Sequence, residues 1–160
     1  MKRLSLFVFT ILVMNLMASA TDFKTYENKA FSIGYPADRE ITWDSNTFVN
    51  LASADEEIRF DVSFNESGPM KSELQQTVNY WVSMKEGQGH KVDQTRVQDD
   101  YALVRSIETN EDDGTKTVVV WFLMISSEPK CFCGTINSPF ERANEALNIL
   151  VEMLATLSPK

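Results

Sequence analysis

Val118 to Ile125, eight apolar residues without interruption, constrain this chain more than any other segment. Side chains alternate across a strand, so Val119, Trp121, Leu123 and Ile125 line one surface. Val118, Val120, Phe122 and Met124 line the other. A strand that is apolar on both sides must lie inside a sheet with a layer over each face. The run is also far too short to cross a membrane as a helix.

The neighbouring segments supply the rest of that sheet and its cover. Phe31–Pro36 alternates and ends on proline, as a short strand does. Phe48 to Leu51 and Glu57 to Phe64 form a hairpin around Ala54-Asp55-Glu56. In the second arm Ile58, Phe60, Val62 and Phe64 face inward, while Arg59, Asp61, Ser63 and Asn65 make a wet face. Strands follow at Lys91–Val97, Tyr101–Thr109 and Lys116–Ser126, with Asn110 to Gly114 as a tight Asp-Gly hairpin tip between the last two. Glu128-Pro129-Lys130 turns the chain into a final strand, Cys131 to Asn137.

Two segments read as helices. Ser72 through Lys85 carries Leu74, Val78, Trp81 and Met84 at helical spacing, with Ser72 as N-cap and Gly87 and Gly89 as the stop. Ser138-Pro139-Phe140-Glu141 has the composition of a capping box. The helix after it buries Phe140, Ala143, Leu147, Leu150, Val151, Leu154 and Leu157. Together these elements predict one α+β domain over residues 21–160, an α/β/α sandwich with a largely antiparallel sheet.

The stretch Tyr26-Glu-Asn-Lys-Ala-Phe31-Ser-Ile-Gly-Tyr35-Pro36, with Trp43 shortly after, resembles the opening of PsbP-like proteins. The closing segment Leu154-Ala-Thr-Leu157-Ser158 is similar as well. The resemblance covers most of the chain as an order of elements and implies the same sandwich. That family includes photosystem extrinsic subunits, a nuclear-import cofactor and exported bacterial proteins, so the resemblance implies a fold with non-enzymatic precedents. No metal-binding or partner-binding residue of the family carries over to a position here.

The first twenty residues read as a signal peptide. Lys2 and Arg3 precede an apolar stretch from Leu4 to Met17, and Ala18-Ser19-Ala20 offers a cleavage site. As a helix the stretch would span roughly 21 Å, short of the ~30 Å hydrocarbon core. No cysteine near the cut could carry a lipid. Cleavage after Ala20 and release to the periplasm or the medium are expected, with no stable membrane anchor. Removing Lys2 and Arg3 takes the net charge from −8 to −10. So acidic a chain, with no basic run, excludes nucleic-acid binding.

Chemistry-bearing residues are few. Cys131 and Cys133 share a strand face about 6.6 Å apart, near the upper limit for a disulfide. They read either as buried structural thiols or as a readily reduced redox pair. Zinc would need His90, the single histidine, in a C-x-C rather than C-x-x-C setting. There is no nucleophile elbow for a Ser–His–acid triad and no Gly-rich phosphate loop. An EF-hand placed on Gly114 would put Thr109 and Val120 where carboxylates belong. Asn65-Glu66-Ser67 is a glycosylation sequon, usable only on a eukaryotic secretory route.

Aromatics remain. Trp81 and Trp121 fall at core spacings, whereas Trp43 lies in an irregular stretch near Phe48. Tyr35, Trp43 and Tyr101 are the candidate contact surface. Neither a catalytic residue nor a cofactor nor a metal site is predicted. The expected function is an exported, non-catalytic binding or assembly module for an envelope or extracellular protein or a small ligand. The alternative is a thiol–disulfide redox protein working through Cys131 and Cys133.

Overall fold

Cross-strand pairing organises the apolar runs in the computed structural model, which describes residues 22–160; the predicted signal peptide lies outside them. The strands are β1 (Phe23–Glu27), β2 (Phe31–Pro36), β3 (Arg39–Asp44), β4 (Phe48–Ser53), β5 (Arg59–Asn65), β6 (Lys91–Val97), β7 (Tyr101–Thr109), β8 (Lys116–Ser127), β9 (Lys130–Pro139) and β10 (Ser158–Pro159). The helices are α1 (Leu74–Gly87) and α2 (Ala143–Thr156). Seven strands form one sheet in the order β3-β4-β5-β9-β8-β7-β6, and β1-β2-β10 form a second. Every pairing is antiparallel.

The two faces of β8 are both buried, against different partners. Trp121, Leu123 and Ile125 pack with Leu74 and Val78 of α1, beside Ala102 and Val104 of β7. Val118, Val120 and Phe122 pack with Ala146, Leu150 and Met153 of α2 and with Phe31 and Ile33 of the small sheet. This is the α/β/α sandwich expected of a strand apolar on both sides, with the small sheet sharing one outer layer with α2. Phe31, Phe60 and Phe132 are fully buried there, and each such side chain contributes about 1.5–3 kcal/mol by leaving water.

Several local expectations are corrected. β1 and β3 are strands that the sequence pattern did not reveal: most of their side chains are exposed, so pairing rather than burial defines them. Ser72 does not cap α1. A 3-10 turn at Lys71–Glu73 precedes the helix, and the Glu73 carboxylate accepts the Met70 N–H at 2.8 Å. Ser138 does not cap α2 either, because β9 runs on through it in register with Val118 of β8. Leu150 is buried as expected and Ala143, Leu147, Leu154 and Leu157 pack partly buried on the same core, but Ala146 and Met153 join the fully buried residues of α2 and Phe140 at the preceding turn is exposed. Met84 likewise sits on the exposed side of α1.

β3 is an edge strand pinned at both ends. At its start Arg39 is 5% exposed and its Nη2 lies 3.2 Å from Glu145 Oε1 of α2. At its end Asp44 accepts a 3.0 Å hydrogen bond from Tyr26 Oη of β1.

Candidate functional site

α1 covers only part of its side of the large sheet. It packs over β6 and β7 and reaches β8 through Trp81, whose ring meets that of Trp121 edge-on. On that side β3, β4, β5 and the part of β9 beyond Cys133 lie outside the cluster that α1 forms. Residues directly opposite one another in antiparallel strands share a face. The row Trp43, Asn50, Asp61, Thr135, Trp121 therefore runs across the sheet from an open edge to the covered centre. A parallel row is Phe48, Ser63, Cys133, Leu123.

Trp43 reaches this face through a β-bulge. The register of β3 against β4 shifts between Ile41 and Trp43. Without the extra residue Trp43 would oppose Val49, whose side chain lies in the core beneath. With it, Trp43 opposes Asn50 and turns outward, the re-aiming that bulges perform. Its indole is 63% exposed and leans on Phe48, ring centroids 4.8 Å apart.

The floor beside it is polar and internally ordered. Thr42 Oγ1 donates to Asn50 Oδ1, and Asn50 Nδ2 donates to Asp61 Oδ1. From the other side Thr135 Oγ1 donates to Asp61 Oδ2 at 2.9 Å, and Asn137 Nδ2 donates to Thr135 Oγ1 at 3.4 Å. Two arms of donors thus converge on one half-buried carboxylate. Asp61 forms no ion pair among the described residues. The cation nearest in sequence on this face, Arg59, is turned to Glu56 at 3.1 Å.

The three predicted aromatics do not share a surface. Tyr35 is buried in the core between the sheets. Tyr101 pairs with Met124, which pairs with Phe132, so it belongs to the α2 face, where the Arg96 guanidinium lies 5.6 Å from its ring centre. Only Trp43 is on the open face. The single surface expected of Tyr35, Trp43 and Tyr101 is therefore not formed; Trp43 stands apart from the other two, beside Phe48 and the polar row.

Cys131 and Cys133 do project from the same face of β9, and both are free thiols. Cys131 is buried, with Gly68 packed directly on its sulfur. Burial, reinforced by the neighbouring Cys133, pushes its thiol up to about 11, which suppresses the thiolate that exchange requires. Cys133 is half-buried at the end of the polar strip, where Asn65 Nδ2 donates to its sulfur at 3.0 Å. His90 stands at the far edge, its Nε2 4.0 Å from Glu108 Oε1, three strands from β9. The hairpin tip forms as predicted: Gly114 adopts φ +73, and the Asp113 carboxylate accepts both the Thr115 N–H and hydroxyl.

Sequence reasoning identified the wet side of β5 but not the site. Its signal was available: Cys133, Thr135 and Asn137 alternate on β9 with the same period as Asp61, Ser63 and Asn65 on β5.

No protein-family model matches the chain, and no curated protein matches it by sequence. Solved structures do. The Ran-binding protein Mog1p of Saccharomyces cerevisiae is 15% identical over 87% of this chain and 96% of its own, with a TM-score of 0.61. The cyanobacterial PsbP of Synechocystis is 7% identical over 90% of this chain and 95% of its own, with a TM-score of 0.60. The chain therefore has the fold common to PsbP and Mog1. Among the described residues no helix is long and apolar enough to cross a membrane.

Proposed function

We propose that this chain is a non-catalytic binding module, exported after cleavage following Ala20, that holds an envelope or extracellular protein on the open face of β3, β4, β5 and β9. One observation carries the reading: a bulge turns a largely exposed tryptophan onto a pre-ordered polar strip that α1 leaves uncovered. Aromatic anchors beside satisfied polar groups are what protein-binding surfaces concentrate. A protein of the same fold, Mog1p, is named for binding another protein, which supports a fold able to work this way. Burial of Cys131, which pushes its thiol up, weighs against the redox alternative.

The test places a photo-crosslinking amino acid at position 43, or at position 80 on the outer side of α1, where Tyr80 is also exposed. Each version is expressed in the producing cell and irradiated. The reading predicts a discrete adduct from position 43 and none from position 80. The captured protein, once purified, should bind at least tenfold more weakly to Trp43→Ala. Identical adducts from both positions, or none from position 43, would reject it.

A further inference from the structure

Resting on that reading of the face, we infer that Asp61 is the receptor for an arginine side chain of the partner, whose aliphatic stem lies back across Asn50 toward Trp43. A carboxylate offers about four lone-pair directions. Asn50 and Thr135 occupy one on each oxygen, which fixes the group and leaves both oxygens able to accept another donor. Holding a half-buried carboxylate with two neutral donors and no cation leaves its charge uncompensated within the described part of the chain. The missing element is a positive group from outside.

The surroundings specify which one. The exposed charges at this edge of the sheet are predominantly acidic, with Glu40 and Asp44 on β3 and Glu66 just past β5. Arg59, the cation of the face, is held by Glu56. The whole chain carries −8, so a basic partner is drawn in by the long-range field. Trp43 stands two strands from Asp61, about 9–10 Å across the sheet, on the path that a long apolar stem would follow. A guanidinium presents two parallel N–H donors to two oxygens, whereas an ammonium is a point charge that gains less from the fixed carboxylate.

The experiment titrates the ¹⁵N-labelled mature chain with the capped peptide acetyl-Gly-Arg-Gly-amide, and separately with its lysine counterpart. The inference predicts saturable shifts of the Trp43 indole N–H and the Asn50 carboxamide. Binding of the lysine peptide should be at least threefold weaker, and Asp61→Asn should weaken the arginine peptide at least tenfold. Should Asp61→Asn fail to fold, Trp43→Ala on the exposed edge decides, with at least a threefold loss expected. Equal binding of the two peptides, unchanged affinity in Asp61→Asn, or shifts clustered at the Glu111 to Gly114 tip would each overturn the inference. An adduct from position 43 together with unaltered arginine binding by Asp61→Asn would sink this inference and leave the binding module standing. Arginine-specific binding without any adduct would do the reverse.

Discussion

Glu145→Ala tests how the edge strand that carries Trp43 is held. Glu145 receives Arg39 Nη2 at 3.2 Å and Arg142 at 2.9 Å through both carboxylate oxygens. The Arg39 side chain is 4% exposed, and its remaining carboxylate, Asp38, lies 3.8 Å away and is largely in water. Its Nε has no hydrogen-bond partner. Removing one member of a buried ion pair costs about 3–5 kcal/mol because the other charge is stranded. Glu145 is itself 44% exposed, so water can reach the gap and the loss should fall to about 2–3 kcal/mol. With an unfolding entropy of about 2.1 cal/mol/K per residue over roughly 140 residues, that lowers Tm by about 7–10 °C. Scanning calorimetry reads it directly. Adding Arg39→Met removes the stranded charge and should restore at least half of the loss.

The same variant has a signed pH dependence. The Arg142 hydrogen bonds, aided by Arg39, hold the Glu145 carboxyl below its usual 4.5. A carboxyl depressed in the folded state contributes stability above its unfolded pKa and loses it as pH falls through the folded value. The Tm gap between wild type and Glu145→Ala should stay constant above pH 4.5 and close below it. A gap that widens in acid, or a double variant as unstable as the sum of its parts, would refute the argument.

Two further outcomes follow from the packing. Native alkylation followed by intact mass should modify Cys133 alone, with Cys131 reacting only after denaturation; equal native labelling of both would contradict the burial that raises the Cys131 thiol. Phe132 sets its ring edge-on to Phe31 at 5.8 Å and leans on Phe64 at 5.1 Å, joining the two sheets. Phe132→Ala should cost about 3–5 kcal/mol, or roughly 10–17 °C in Tm by the same entropy; a fall under about 5 °C would show that the sheets are joined elsewhere.

The layers were legible because they are written in burial. Val118 to Ile125 announced cover on both sides, and the structure divides those residues between α1 and α2 as the alternation requires. Elements defined by pairing were not legible. β3 exposes every residue after Arg39, and its meaning comes from Asn50 opposite rather than from its own pattern. The cap at Ser138 was misread for a related reason: local chemistry favoured a helix start, but the ladder with β8 held that residue extended. In the sequence Trp43 stands in an irregular stretch near Phe48. Its outward aim depends on one inserted residue, which alternation counting cannot detect.

The strand order divides the large sheet into two meanders, β3-β4-β5 and β6-β7-β8-β9, each joined only between sequence neighbours. A single seam unites them, running from Arg59 opposite Asn137 to Asn65 opposite Cys131. Every loop inside a meander closes over a short span, while the seam must draw together segments some seventy residues apart, the costlier and slower kind of closure. Closing that seam therefore carries the largest chain-entropy cost of any pairing in the large sheet. Asp61 belongs to one half and Thr135 to the other. A guest seated on that carboxylate would clasp the two halves, so occupancy would slow the seam's reopening as well as fill the face.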